Sequence, residues 1–347
     1  RKSLREITAR AGEPDLLGRV TILDVVHQEG QGLRDAAEAR ARQVFQELPE
    51  AADALLPSVV DSPDENSVEE SDSLEEDVTL LGFPGAAPAE AVAEDQPRQV
   101  DPQAVMVQAD EVVVHAQPST GMKQIKTYTA VVRCQAQTWY FTAEASQPLI
   151  HQVGARLAAC GVLRDRLHLL FLNDGARWIR DWFDRLKVPS KSMILCWYHL
   201  AKRVRDGLSM ACRGKKHRDE VAQEVLGHLW EGRVQEALSV LDRRRDEMRC
   251  VVALRLVREY VENRRPFLPN YAARRDAGLW IASTRVEKFN DWSVTQRCKH
   301  RGMDWTRDGV VALASLEAAR RNHELPHWQR HRELPAWSHS HSPNSAA

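Results

Sequence analysis

The chain has 347 residues, of which 43% are hydrophobic, and a formal net charge of −1. That is enough apolar material for a substantial core, which excludes a wholly disordered protein. No window approaches about 18 consecutive apolar residues, so no membrane span is expected. The near-zero net charge hides an asymmetry. Asp61 to Asp77 holds nine acidic residues and no basic ones, whereas Leu200 to the end holds 28 Lys plus Arg against 19 Asp plus Glu. The second half is basic enough to follow a phosphate backbone. Six cysteines, Cys134, Cys160, Cys196, Cys212, Cys250 and Cys298, occur singly with no C-x-x-C pair. This predicts free thiols in a reducing cytoplasm.

Residues 1–57 read as a helical N-terminal segment, with Val20, Leu23 and Val26 followed by an Ala/Glu/Arg-rich run at helical spacing from Leu33 to Leu55. The chain begins with Arg1 rather than Met, which suggests a truncated N-terminus. Residues 58–102 are rich in Asp, Glu, Ser, Pro and Ala and poor in aromatics, and are expected to form an acidic disordered linker. A first core unit follows over 103–201. Ala104 to Ala116, Lys126 to Cys134 and Gln137 to Thr142 are β-type runs joined by short turns, as in an antiparallel meander. A helix is predicted from Pro148 to Cys160. Leu167 to Leu172 is almost continuously apolar, as suits a strand buried on both faces. Trp178, Ile179, Trp182, Phe183 and Leu186 repeat at helical spacing until Pro189, and Ser192 to Cys196 is a fifth strand. Residues 202–280 are helical in period throughout and are read as an insertion. The core resumes with helices over 281–325, the last from Asp308 to Arg321, before a His- and Pro-rich tail, 326–347, expected to be disordered. The fold class is therefore α/β, because three strands, helix, strand, helix, strand is the order of the RNase H-like core.

Three acidic residues stand where a metal-dependent nuclease would need them: Asp110 in the first strand, Asp174 at the carboxyl end of the fourth, and Glu287 in a helical pattern downstream. Each has an ordinary reading by itself. Asp110 would pass as a solvent-facing strand residue, Asp174 as a turn residue in Asn-Asp-Gly, and Glu287 as a surface ion-pair partner. Together, on the first and fourth strands of one core, the aspartates fit a pair of ions that take oxygen ligands. Two such ions, roughly 3.5–4 Å apart, would activate the attacking hydroxyl and stabilise the leaving oxygen. Glu111, Trp178 and His199 are expected to support the site. Cys196 and His199 form a C-x-x-H just after the fifth strand. A single Cys/His pair is a weak zinc signal, and a packed Cys with a His that orients the site's edge fits the spacing better.

At these residues the chain resembles the ISLre-type insertion-sequence transposases and their Kra-type relatives, bacterial members of the DDE group. The resemblance spans about Val105 to Arg321. It rests on Ala109-Asp110-Glu111 running to Gln117, on Asp174-Gly175-Ala176-Arg177-Trp178-Ile179, on Trp197-Tyr198-His199-Leu200 and on Gly302-Met303-Asp304-Trp305. It implies Asp110, Asp174 and Glu287 as catalytic residues and metal ligands for two Mg²⁺ ions, with Mn²⁺ as the substitute. The implied activity is cleavage and strand transfer at element ends. The implied partners are double-stranded DNA, both element ends and target, and further copies of the chain, in the bacterial cytoplasm near the nucleoid. DNA contacts are assigned by charge to Lys202, Arg203, Arg205, Lys215, Lys216, Arg243, Arg244 and Arg245. The rival readings are a transposase-derived protein that binds DNA without cutting it and an RNase H-like nuclease acting on RNA or hybrids.

Overall fold

The computed structural model describes residues 19–57, 104–163, 167–300 and 302–337, with side chains from residue 23. The linker expected at 58–102 lies outside the described residues.

One mixed five-stranded sheet organises the α/β chain. Its strands are β1 (Ala104–His115), β2 (Gln124–Cys134), β3 (Gln137–Ala143), β4 (His168–Asn173) and β5 (Lys191–Leu195), in the spatial order β3-β2-β1-β4-β5. β1, β2 and β3 pair antiparallel, while β1 with β4 and β4 with β5 pair parallel. The sequence explains the change of mode. Short polar turns allow the first three strands to double back, but each parallel pairing needs a crossover, supplied by α3 (Ser146–Cys160) and α4 (Arg177–Arg185).

Alternation along the strands separates two faces. Val105, Val107 and Ala109 of β1, with Leu169 and Phe171 of β4, enter a core shared with α3, α4 and the N-terminal helices α1 (Arg19–Glu47) and α2 (Pro49–Leu55). The N-terminal segment thus belongs to the same core: Val44, Phe45, Ala51 and Leu55 are buried there, and the Trp182 indole N–H donates to the Leu55 carbonyl oxygen at 3.1 Å.

After β5 the chain runs through α5 (Trp197–Ala211), α6 (Lys215–Trp230), α7 (Val234–Arg243), α8 (Val251–Arg264) and α9 (Tyr271–Asp276). These pack on one another through Val204, Leu208, Val225, Leu229, Leu238 and Val257, forming a helical lobe whose core is continuous with Met106, Leu170, Leu172, Ile194 and Leu195 of the sheet, and the Tyr271 hydroxyl donates to the Leu195 carbonyl oxygen at 2.8 Å. The lobe leaves and rejoins the sheet at one point, where the Trp197 N–H donates to the Ile281 carbonyl oxygen at 3.0 Å. α10 (Thr284–Asn290) follows and continues into a π-turn at Asp291–Thr295, then α11 (Arg307–Arg321) covers the second face of the sheet. α11 also packs on α1, so closely that a Cβ at Gly30 would lie 2.4 Å from the Ala312 Cα.

The tail differs from expectation. Residues Leu325–His331 form α12. Counting its His and Pro content missed Trp328, which is buried against Leu33 and Ala319 and donates its indole N–H to Glu29 at 2.7 Å. Glu324 just before it pairs with buried Arg40 at 2.5 Å.

All six cysteines are free thiols. Among the described residues no helix is long and apolar enough to cross a membrane.

Candidate active site

The site lies at the carboxyl ends of β4 and β5, beside the middle of β1. The last residues paired between β1 and β4 are Val107 and Phe171. Asp110 and Asp174 each lie three residues beyond them, level with one another on strands about 4.8 Å apart. Both share the alternation parity of Gln108 and Leu172, so both start from the sheet face that α10 covers.

Each aspartate is held by short-range hydrogen bonds. Asp110 Oδ1 accepts the Glu111 N–H at 2.8 Å, and Oδ2 accepts the Asn290 side-chain amide at 2.7 Å. Asn290 is in turn fixed by the Thr129 hydroxyl, which donates to its Oδ1 at 2.5 Å. Asp174 Oδ1 accepts the Ala176 N–H at 2.9 Å, the Asx-turn that opens α4. Asn173 makes the matching bond to the Gly175 N–H at 2.7 Å, and its own carbonyl oxygen accepts the Cys196 N–H at 2.7 Å. Gly175 has φ +85°, and a Cβ there would come 2.9 Å from Leu195 Cδ1. The turn therefore needs glycine both for its dihedral and for its closeness to β5.

Glu287 comes from α10, whose first turn is locked to β1 by Gln108. This fully buried side chain accepts the Arg285 and Val286 N–H groups at 3.1 Å each and donates to the Ala282 carbonyl oxygen at 3.4 Å. It fills the place of a side-chain cap, reaching from another element to donors the helix cannot satisfy itself. Val286 and Phe289 bury against Val131, which leaves Glu287 on the flank facing the aspartates. The Ser283 hydroxyl donates to Glu287 Oε1 at 2.7 Å, and His199 Nδ1 stands 3.6 Å from the same oxygen.

The electrostatics couple these groups to one another. Burial pushes the Asp110 carboxyl up to about 8, with Asp174 and, more weakly, Glu287 adding to the rise against the opposing His199 and Glu111 N–H. Burial pulls the His199 imidazole down, but Cys196, Glu287 and Asp174 together raise it to about 10. Asp174 and Glu287 act on both Asp110 and His199, so the four groups share one electrostatic environment.

Of the residues singled out in the sequence, Asp110, Asp174, Glu287 and His199 come together. Glu111 does not. It points to the opposite face of β1 and pairs with Lys126 at 3.0 Å. Trp178 is a support at one remove, packing edge-on against Tyr128 with centroids 5.6 Å apart. Lys202, Arg203, Lys215, Lys216 and Arg245 are exposed on the lobe. Arg205 is half-buried, and its guanidinium is pulled below its usual range by burial. Arg243 and Arg244 both pair with Glu224, and Arg244 also with Glu247, so their charge is largely spent within the protein. Gln108, Asn290 and Ser283 had escaped the sequence reading. Asn290 carried a signal, since it lies three residues after Glu287 on the same helical flank; Gln108 and Ser283 had none beyond proximity to Asp110 and Glu287.

The chain matches no protein-family model and no curated protein sequence.

Proposed function

We propose that the chain is a DDE transposase of the ISLre type, with an RNase H-like core, that cuts and joins DNA at the ends of an insertion sequence. The observation that carries this reading is the convergence of Asp110, Asp174 and Glu287, from three distant parts of the chain, on one pocket where each carboxylate is separately oriented. The sheet order and mixed pairing agree with the RNase H-like pattern expected from the sequence.

The donor set suits Mg²⁺: hard carboxylate oxygens, few of them, on residues that are only partly buried. Bound there, the ions would supply charge to the attacking and leaving oxygens of a phosphodiester. Asp110 and Asp174 would hold them from the sheet and Glu287 from the helix. The chain's own work is to fix these groups. Asn290 and the Glu111 N–H set the Asp110 rotamer, the Asx-turn sets Asp174, and Gln108 sets the height of α10 over β1. DNA would be held by guanidinium groups next to this site. Arg180, Arg203 and Arg264 gather beside Asp174, where burial together with Arg180 and Arg203 pulls the Arg264 guanidinium below its usual range. Among the described residues no carboxylate pairs with any of the three at salt-bridge distance, so phosphate is the partner their charge calls for.

Asp174→Ala tests the reading. Loss of Mg²⁺-dependent cleavage of the cognate end with DNA affinity nearly unchanged is the expected result, because the carboxylate acts on the reaction and the guanidinium groups on binding. Cleavage at the unaltered rate would overturn the triad, and a wild-type chain that binds DNA but never cuts it would favour the binding-only reading.

A further inference from the structure

The pocket contains a second donor set that oxygen-seeking ions do not explain. Cys196, His199 and Glu287 each offer one ligand atom, and these three atoms lie within 4.8 Å of one another. Cys196 is fully buried at the end of β5, while His199 stands in the first turn of α5 and is half-buried. The C-x-x-H spacing alone is a weak metal signal. The fold changes its weight, because α10 brings a carboxylate as a third ligand from far along the chain.

We infer that Cys196 Sγ, His199 Nδ1 and Glu287 Oε1 form a transition-metal site of the zinc class, with its fourth position open toward the carboxylate pocket.

Three observations support it. The first is distance. Zinc lies about 2.3 Å from sulfur and about 2.0–2.2 Å from nitrogen or oxygen, so tetrahedral ligand atoms stand about 3.3–3.6 Å apart. His199 Nδ1 and Glu287 Oε1 are already 3.6 Å apart. The widest separation in the set needs to close by only about 1 Å to reach that geometry, within the reach of side-chain rotation. The second is the state of His199 Nδ1, which is buried without a hydrogen-bond partner among the described residues. The third is Ser283, which orients two of the ligands at once. Its N–H donates to Cys196 Sγ at 3.4 Å and its hydroxyl to Glu287 Oε1 at 2.7 Å. Such outer contacts are the usual means of aiming metal ligands.

The chemistry of the set selects the ion. One thiolate and one imidazole beside one carboxylate favour Zn²⁺ over Mg²⁺, which takes oxygen almost exclusively. Binding displaces the protons on the thiol and the imidazole to solvent, leaving a thiolate, a neutral imidazole and a carboxylate around the dication. Glu287 is then committed. A consequence that rests on the transposase reading is that zinc should inhibit Mg²⁺-dependent cleavage by occupying the triad's third carboxylate.

Cobalt(II), the spectroscopic stand-in for zinc, tests the site in the full chain. A thiolate-to-cobalt charge-transfer band should appear and be displaced by Zn²⁺ but not by Mg²⁺. Cys196→Ser should abolish it although five other cysteines remain. Should Cys196→Ser fail to fold, His199→Gln, at a half-exposed position, should raise the cobalt concentration needed for the band by about tenfold or more, a loss at least as large as that for an outer contact. Absence of the band in the wild type, its persistence in Cys196→Ser, or an unchanged titration in His199→Gln would each overturn the site. These readouts do not need cleavage, so a chain that proves unable to cut DNA leaves the metal site standing or falling by itself.

Discussion

Gln108 offers a clean test of how the pocket is held together. Replacing it by methionine keeps length and volume, so the transfer and cavity contributions stay small and the loss of the amide is isolated. The Arg285 N–H then has no acceptor. The Val286 N–H loses Gln108 but keeps the Ser283 carbonyl oxygen at 3.1 Å, and the Ala282 carbonyl oxygen loses only a long bond of 3.4 Å. One orphaned donor costs about 1–3 kcal/mol, so with the two partial losses we expect Gln108→Met to destabilise the protein by about 2 kcal/mol. Gln108→Ala adds a cavity beneath α10 and should cost more, about 3–4 kcal/mol. Urea melts supply the measurement, as a fall in midpoint with unchanged slope. Because the helix carries Glu287, the methionine variant should also lose cleavage rate at substrate saturation. A change below about 0.5 kcal/mol, the size expected of an ordinary surface substitution, would refute the claim that this side chain caps α10.

Three further outcomes follow from other parts of the fold. Gly175→Ala must place an alanine at φ +85° and a Cβ 2.9 Å from Leu195, which should cost about 2–3 kcal/mol by chemical melt, above the 1–2 kcal/mol of the left-handed conformation alone. Glu317 is buried among Arg297, Arg320 and Arg321; burial pushes its carboxyl up, but the Arg320 hydrogen bond and the three charges outweigh this and hold it below the usual range. Its stabilisation is therefore present above the ordinary carboxylate value of about 4.3 and is lost as pH falls through the lower folded-state value. The stability gap between wild type and Glu317→Gln should be flat near neutrality and shrink in acid; a gap that widens in acid would reverse the sign. Trp328→Ala should lower stability by about 2–3 kcal/mol, somewhat less than a central tryptophan, and a melt identical to wild type would show that α12 does not hold α1.

The strands were legible in the sequence because their burial is one-dimensional. Alternating or continuous apolar runs such as Leu167 to Leu172 declare a strand without reference to anything else, and the five runs correspond to the five strands. Asp110 and Asp174 were legible for the same reason, since a carboxylate within or at the end of such a run conflicts with its surroundings. Glu287 was less so, as a Glu among Lys and Arg on a helix has an unremarkable local environment; the resemblance gave it its weight. Gln108 was hidden by its own success. A polar residue whose amide is fully satisfied by a distant helix leaves no local trace. Glu111 failed in the other direction, because adjacency to Asp110 in the chain means opposite faces of a strand. Arg243 and Arg244 show a limit of counting charge, since Glu224 takes up both at a distance that composition cannot measure.

The helical lobe departs from the sheet at Trp197 and returns at Ile281, two residues joined directly by a backbone hydrogen bond. The detour is also anchored beside that junction: its core includes Met106, Leu170, Leu172, Ile194 and Leu195 of the sheet, and the Tyr271 hydroxyl holds the Leu195 carbonyl oxygen. Insertions at its outer turns, such as the exposed Arg213-Gly214 between α5 and α6, would leave Asp110, Asp174 and Glu287 at their spacing, whereas exchange of the whole lobe would strip Leu170, Leu172 and Leu195 of their cover. Under the transposase reading, such insertions would alter what the lobe's outer surface meets without moving the three carboxylates.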